Sequence, residues 1–245
     1  MGSILVIGGN SDIGYATAKV FAKNKYNIHL VSRIISQLEI KKKEIENLYG
    51  VNCKITSLDI LNEDNVNNFF NENSVSPTII LIAVGLAELN EKNYERIAYT
   101  NYVYPMVFIE KSLIKYKTQK KLNTIIGISS VAGDRGKKKN CIYSSSKSAF
   151  SSYLDGLRQR LYSDKIHVIT VKPGWVKTKM TKNPKLPKVL ISSANHVGNK
   201  IFESYKNKKN TLYVPRFWSI VLLGEIAVVL ALSTSRKCVF CVSYS

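Results

Sequence analysis

The chain has 245 residues, 45% of them hydrophobic, and a formal net charge of +19. That length and apolar content suit one large α/β domain and exclude a disordered chain or a small disulfide-stapled one. A strongly basic surface draws anions, but no nucleic-acid motif and no basic–aromatic interleaving is present, so nucleic acid is not an expected partner.

Ser3 to Ile7 is a short apolar run with the character of a buried parallel strand. It leads into Gly8-Gly9-Asn10-Ser11-Asp12-Ile13-Gly14, after which Ile13, Ala16, Thr17, Val20 and Phe21 form a helical stripe. Strand, glycine turn and helix together make a site for a dinucleotide pyrophosphate at a helix N-terminus. Gly8 and Gly14 permit close approach there, and Asn10 and Ser11 can add polar contacts to phosphate. Ile28 to Val31 reads as the second strand and ends at Ser32-Arg33 with no acid. An acid there would bind the adenosine ribose of NAD, whereas Arg33 can pair with a 2′-phosphate, which favours NADP(H) over NAD(H). A solvated arginine is the plain alternative.

Ser36 to Leu48 reads as an amphipathic helix, Cys53 to Leu58 as a third strand ending at Asp59-Ile60, and Asn65 to Phe70 as helix. Thr78 to Ala83 is a strongly apolar fourth strand followed by Val84-Gly85, where a glycine lets backbone approach a ligand. Tyr94 to Lys117 has a helical pattern that Pro105 should bend, with Asn101 inside it. Thr124 to Ile128 is the fifth strand, ending at Ser129-Ser130. Ile142 to Leu161 is a long helix. Ile166 to Val171 is the sixth strand, running into Pro173-Gly174-Trp175-Val176-Lys177-Thr178. Alternating strands and helices imply a doubly wound parallel sheet in a three-layer α/β/α single domain. Gly8, Asp59, Gly85, Ser130 and Pro173 all fall at strand C-termini, the edge where such sheets bind ligands.

Tyr143 and Lys147 are four apart near the start of the long helix, hence on one face. A lysine ammonium beside a phenol favours the phenolate and lowers its pKa from about 10, which suits a general acid or base. Ser130 can hydrogen-bond the same reacting oxygen. A polar helix start with a solvated lysine is the alternative reading of the pair.

Taken together, the glycine turn, Asp59, Ala83-Val84-Gly85, Asn101, Ser130, Tyr143 with Lys147, and Pro173-Gly174 with Thr178 resemble the short-chain dehydrogenase/reductase family up to about Tyr213. Departures are Ile7 for the usual Thr, Asp12 for the usual middle glycine, and Ile82-Ala83-Val84-Gly85 for Asn-Asn-Ala-Gly. GGNSDIG, AVG, YTNYVYP and Tyr213-Val214-Pro215 look like the branch containing decaprenylphosphoryl-ribose 2-epimerase reductase subunits, which reduce a 2-keto pentose on a polyprenyl phosphate. The resemblance implies a Rossmann-like fold and hydride transfer to a carbonyl, that of a lipid-linked keto sugar or of another hydrophobic ketone, with a non-catalytic dinucleotide-binding scaffold as the last alternative. Tyr143 would be the proton donor, Lys147 its modulator and ribose ligand, Ser130 a hydrogen-bond donor, and Asn101 the holder of a relay water. Asp59 and Ile60 would meet adenine. Ala83, Val84 and Gly85 would pack along the cofactor, and Pro173, Gly174, Val176 and Thr178 would line its nicotinamide end. Asp12 and Ile13 complete the cofactor turn. Many relatives pair through the helices holding Asn101 and Tyr143, so a homodimer or a tetramer is the expected assembly, with a heteromer with an oxidase or an anchored monomer as alternatives.

Lys179 to Asn195 is the expected substrate lid, with Lys179, Lys182, Lys185 and Lys188 suited to an anionic group such as a lipid phosphate. A solvated basic loop is the alternative. Phe217 to Leu232 is the most apolar stretch. It is shorter than the roughly 20 residues of a spanning helix, and Glu225 sits inside it. It reads first as a monotopic membrane anchor, then as a hydrophobic dimer surface, and only third as a span. Residues 1–215 are therefore expected to form the domain and 216–245 a tail, on a cytoplasmic protein at the inner face of a membrane. No signal peptide is apparent. Cys53, Cys141, Cys238 and Cys241 are too scattered for a disulfide framework, no metal set is expected, and His29, His167 and His196 read as structural.

Overall fold

A computed structural model describes residues 2–74, 76–87, 93–136, 138–181 and 190–220. Seven strands form one parallel sheet: β1 (Ser3–Ile7), β2 (Asn27–Ser32), β3 (Cys53–Ser57), β4 (Ile79–Ile82), β5 (Thr124–Ile128), β6 (His167–Pro173) and β9 (Thr211–Val214). Their order is β3-β2-β1-β4-β5-β6-β9. The chain winds outward from β1 in one direction, then returns to β1 and winds outward in the other, so the crevice between β1 and β4 opens at the strand C-termini. Apolar runs such as IILI in β4 suit strands covered on both faces, and all four of its residues are buried.

Successive side chains of each strand point to opposite faces, and that alternation divides the core in two. Ile4, Val6, Leu30, Leu81, Ile126 and Ile169 face α1 (Asp12–Lys23), α2 (Ile35–Tyr49) and α7 (Ala194–Lys206). Leu5, Ile7, Val31, Ile80, Ile125 and Val168 face α3 (Glu63–Glu72), α5 (Tyr104–Tyr116) and α6 (Cys141–Arg160). On the first side Phe21 packs edge-on to Tyr26 and Phe202 at ring distances of 5.2 and 5.0 Å. On the second, Phe70 lies 5.0 Å from Phe108.

The helix expected over 94–117 is interrupted. Tyr94–Ala98 is α4, Tyr99–Val103 is a π-helical turn, and α5 follows with Pro105 at its start. The Tyr104 N–H donates to the Tyr99 carbonyl, five residues back. Pro105 has no N–H to offer the Asn101 carbonyl, which is its partner in an α-helix, so the ladder widens there. Beyond Pro173 the sequence reading ran short. Trp175–Lys177 (β7) pairs in parallel with Ile191–Ser193 (β8), α7 begins inside the expected lid, and β9 closes the sheet. These strands are three or four residues long, too short for a period to show. Lys182, Lys185, Lys188, Cys238, Cys241 and Phe217 to Leu232 beyond Ile220 lie outside the described residues, among which no helix is long and apolar enough to cross a membrane.

Phe21 is fully buried among those rings. Phe21→Ala should cost about 3–5 kcal/mol of unfolding free energy, read as a lower midpoint in urea at unchanged slope.

Candidate active site

A cavity of about 500 Å³ opens at the C-terminal edge of the sheet. Every residue expected at the cofactor or the chemistry lines it except Gly14 and Asn101. Those two stand just behind the wall. A Cβ on Gly14 would lie 2.6 Å from the Gly8 carbonyl oxygen, so the first turn of α1 leaves room for no side chain there. Gly8 has φ +94° and would bring a Cβ to 2.6 Å from the Ala83 carbonyl, which only glycine tolerates.

Ser11 caps α1 and its Oγ accepts the Gly14 N–H at 3.0 Å, so the hydroxyl serves the helix as well as the cavity. Asn10 donates to the Ile34 carbonyl at 3.0 Å and leaves its buried Oδ1 without a partner. Asp12 lines the cavity as part of the turn, and its carboxylate also accepts the Lys179 backbone N–H at 2.7 Å. It joins the first helix to the segment after Thr178. Asp59 accepts the Leu61 N–H at 3.1 Å, which shapes the turn beside Ile60. Arg33 is exposed at the cavity, and no carboxylate among the described residues pairs with its guanidinium.

Tyr143 and Lys147 stand on the first two turns of α6, facing the end of β5. The Ser130 and Tyr143 hydroxyls are hydrogen-bonded. The Lys147 ammonium lies 6.0 Å from the Tyr143 ring centre and donates to the Ile128 carbonyl at 3.0 Å. Burial pushes the Tyr143 phenol up, and the Ser130 bond draws it partly back. Burial also lowers Lys147 to about 7. This corrects the expectation that Lys147 pulls the phenol down in the free protein. Desolvation of both groups outweighs an ammonium 6 Å off that is already spent on a carbonyl.

Asn101 is fully buried in the π-helical turn. Its Nδ2 donates to the Leu86 and Ile97 carbonyls at 2.7 and 2.8 Å, and its Oδ1 accepts the Leu86 N–H at 3.1 Å. The amide thus clamps the Gly85–Leu86 backbone beside Lys147. Two groups escaped the sequence reading. Ser129 donates to the Lys147 carbonyl at 2.9 Å and meets Ser151 Oγ at 2.7 Å, and its only signal was its place beside Ser130. Thr181 shares a 3.1 Å hydroxyl contact with Thr178 and lines the cavity.

The donor set suits a dinucleotide. The glycine cradle would be filled by any Cβ, a helix N-terminus faces the cavity, and an unpaired arginine stands at the end of β2. Among the described residues no cluster of metal-ligating side chains is present.

Fold and site define a dinucleotide-dependent oxidoreductase. Residues 3–187 match the family model described as short chain dehydrogenase, and the chain belongs to that family. It is 28% identical over 187 residues to a 3-oxoacyl-[acyl-carrier-protein] reductase of Bos taurus, covering 73% of this chain and 77% of that one. It is 27% identical over 225 residues to the ketoacyl reductase HetN of a Nostoc species, covering 86% and 78%. In fold it matches a short-chain dehydrogenase from Sphingobium yanoikuyae in complex with NADPH, with TM-score 0.79, 15% identity and full coverage of both chains. The protein is an NAD(P)-dependent oxidoreductase.

Between about pH 7 and the ordinary lysine value near 10.4, the unfolded chain holds a proton that folded Lys147 has lost, so this residue makes stability rise with pH there. Thermal melts without nucleotide should show Lys147→Met most stabilised relative to wild type at or below pH 7, with the gap shrinking toward pH 10.

Proposed function

We propose that the protein is an NADPH-dependent reductase of a keto group. The observation that carries this reading is the convergence of Ser130, Tyr143 and Lys147 on one wall of the dinucleotide cavity. Bound NADPH supplies the hydride. Ser130 donates a hydrogen bond to the substrate carbonyl oxygen, aimed where negative charge develops. Tyr143 delivers a proton to that oxygen. Its raised pKa keeps it protonated at neutral pH, ready as a general acid. Lys147, near 7 in the free protein, reloads Tyr143 with a proton and holds the cofactor ribose. Asn101 holds the loop at Gly85 with its amide. A relay water fits its carbonyl, which Pro105 deprives of the α-helical donor.

Arg33 supports the choice of NADPH, since an unpaired guanidinium at the end of β2 suits a 2′-phosphate. For the substrate, the named relatives reduce ketoacyl groups, and the sequence features of the lid and tail suit a 2-keto sugar on a polyprenyl phosphate, in cell-envelope polysaccharide synthesis. Residues 216–245 would then rest on the inner face of the membrane. Ile114, 81% exposed, and Tyr94, 58% exposed, offer an apolar surface for a second subunit.

Tyr143→Phe should lower kcat by a factor of about 10² or more for any ketone the wild type reduces, with the NADPH dissociation constant little changed. Near-normal turnover would sink the mechanism. Arg33→Ala should weaken NADPH binding about tenfold and leave NADH within twofold, measured by nucleotide fluorescence. Parallel assays with a β-ketoacyl thioester and a polyprenyl-phosphate keto sugar separate the two substrate classes.

A further inference from the structure

Three segments that build the site meet again outside the cavity. Lys172, the residue before Pro173, places its Nζ 2.5 Å from Asp134 Oδ1. Tyr213, its neighbour across β6 and β9, donates from its hydroxyl to Asp134 Oδ2 at 3.0 Å. The Lys172 and Asp134 side chains are only 12% and 11% exposed. Burial alone would lower the Lys172 pKa, yet the bonds and charge of Asp134 hold it above the ordinary value.

Asp134 ends the short 3-10 turn Val131–Gly133, which Ser130 opens. Ser130 Oγ accepts the Ala132 N–H at 3.1 Å, the Gly133 N–H reaches the Ser130 carbonyl, and the Asp134 N–H reaches the Val131 carbonyl. The far side of the turn presses on α6. A Cβ on Gly133 would lie 2.7 Å from the carbonyl carbon of Lys147 and 2.8 Å from the Ser148 nitrogen. The turn is therefore held between the Lys147 backbone and the carboxylate of Asp134, and Lys172 ties that carboxylate to the strand carrying Pro173 and Gly174.

We propose that Asp134, with Lys172 and Tyr213, is a positioning residue that sets Ser130 against Tyr143 and Lys147 and fixes both to the nicotinamide wall at Pro173–Gly174. The proposal rests on the reductase reading of the same site. Asp134 touches no reacting atom; it acts through the turn. Removing its charge leaves a buried ammonium unpaired and frees the turn to move off α6, which admits water to Lys147.

Two readouts test it. Lys147 can be titrated by NMR in 15N-lysine-labelled full-length protein without nucleotide, with Lys147→Arg for assignment. Tyr143 and Phe150 are the rings nearest its ammonium. Asp134→Asn should move the Lys147 midpoint upward from about 7 by at least one pH unit, and Lys172→Arg should leave it in place. In NADPH oxidation assays Asp134→Asn and Lys172→Met should lower kcat about tenfold with the NADPH dissociation constant within twofold, and Lys172→Arg should stay near wild type. Should Asp134→Asn fail to fold, Tyr213→Phe removes one bond and keeps the ion pair, and should lower kcat two- to fivefold at unchanged melting temperature. An unmoved Lys147 midpoint, or kcat falling in step with nucleotide affinity, overturns the proposal. Full activity of Asp134→Asn beside an inactive Tyr143→Phe sinks this inference alone, whereas an active Tyr143→Phe sinks the reductase reading.

Discussion

The carbonyl of Lys147 accepts two serine hydroxyls, from Ser129 and Ser151, at 2.9 Å each. Its ammonium meanwhile reaches the carbonyl of Ile128. One residue thus joins the end of β5 to the start of α6 through both backbone and side chain. Each of these polar groups is buried, so each would cost free energy if left unpaired. Ser130 follows Ser129, Tyr143 precedes Lys147 by one turn, and Asn101 clamps the loop that faces the ammonium. Their relative placement follows from how that single lysine is satisfied.

The same burial sets the chemistry. Among the described residues no carboxylate pairs with Lys147, and burial lowers its pKa to about 7. Tyr143 is shielded by the same packing and stays a phenol. The pair was read from the sequence as a cation creating a phenolate. In the folded chain burial pushes the phenol up and lowers the lysine to about 7, so desolvation rather than the cation sets the state of the pair.

Much of the sheet was legible because parallel strands buried on both faces are written as unbroken apolar runs, as at Ser3–Ile7 and Ile79–Ile82. Their C-termini could then be aligned, which brought Gly8, Asp59, Gly85, Ser130 and Pro173 to one edge. What could not be read was set by tertiary contact. Asp12 lines the cavity within the turn, but nothing local showed that its carboxylate would also take the backbone N–H of Lys179, 167 residues later in the chain. Asn101 stood out as a polar residue within a helix, yet nothing local showed that its amide would be consumed by Leu86 and Ile97. The strand Thr211–Val214 has four residues, and only pairing with β6 makes it a strand.

The first helix lies against α7. A Cβ on Gly198 of α7 would come within 3.0 Å of the Ala16 backbone in α1, and Phe21 finds its rings in Phe202 and Tyr205. On a ribosome making about 5–20 residues per second, α1 emerges roughly ten to thirty seconds before α7 exists to cover it. Throughout that interval the dinucleotide turn is complete in sequence while one face of its helix remains bare. A nascent chain of this protein therefore keeps one apolar face of its first helix uncovered until α7 has been made.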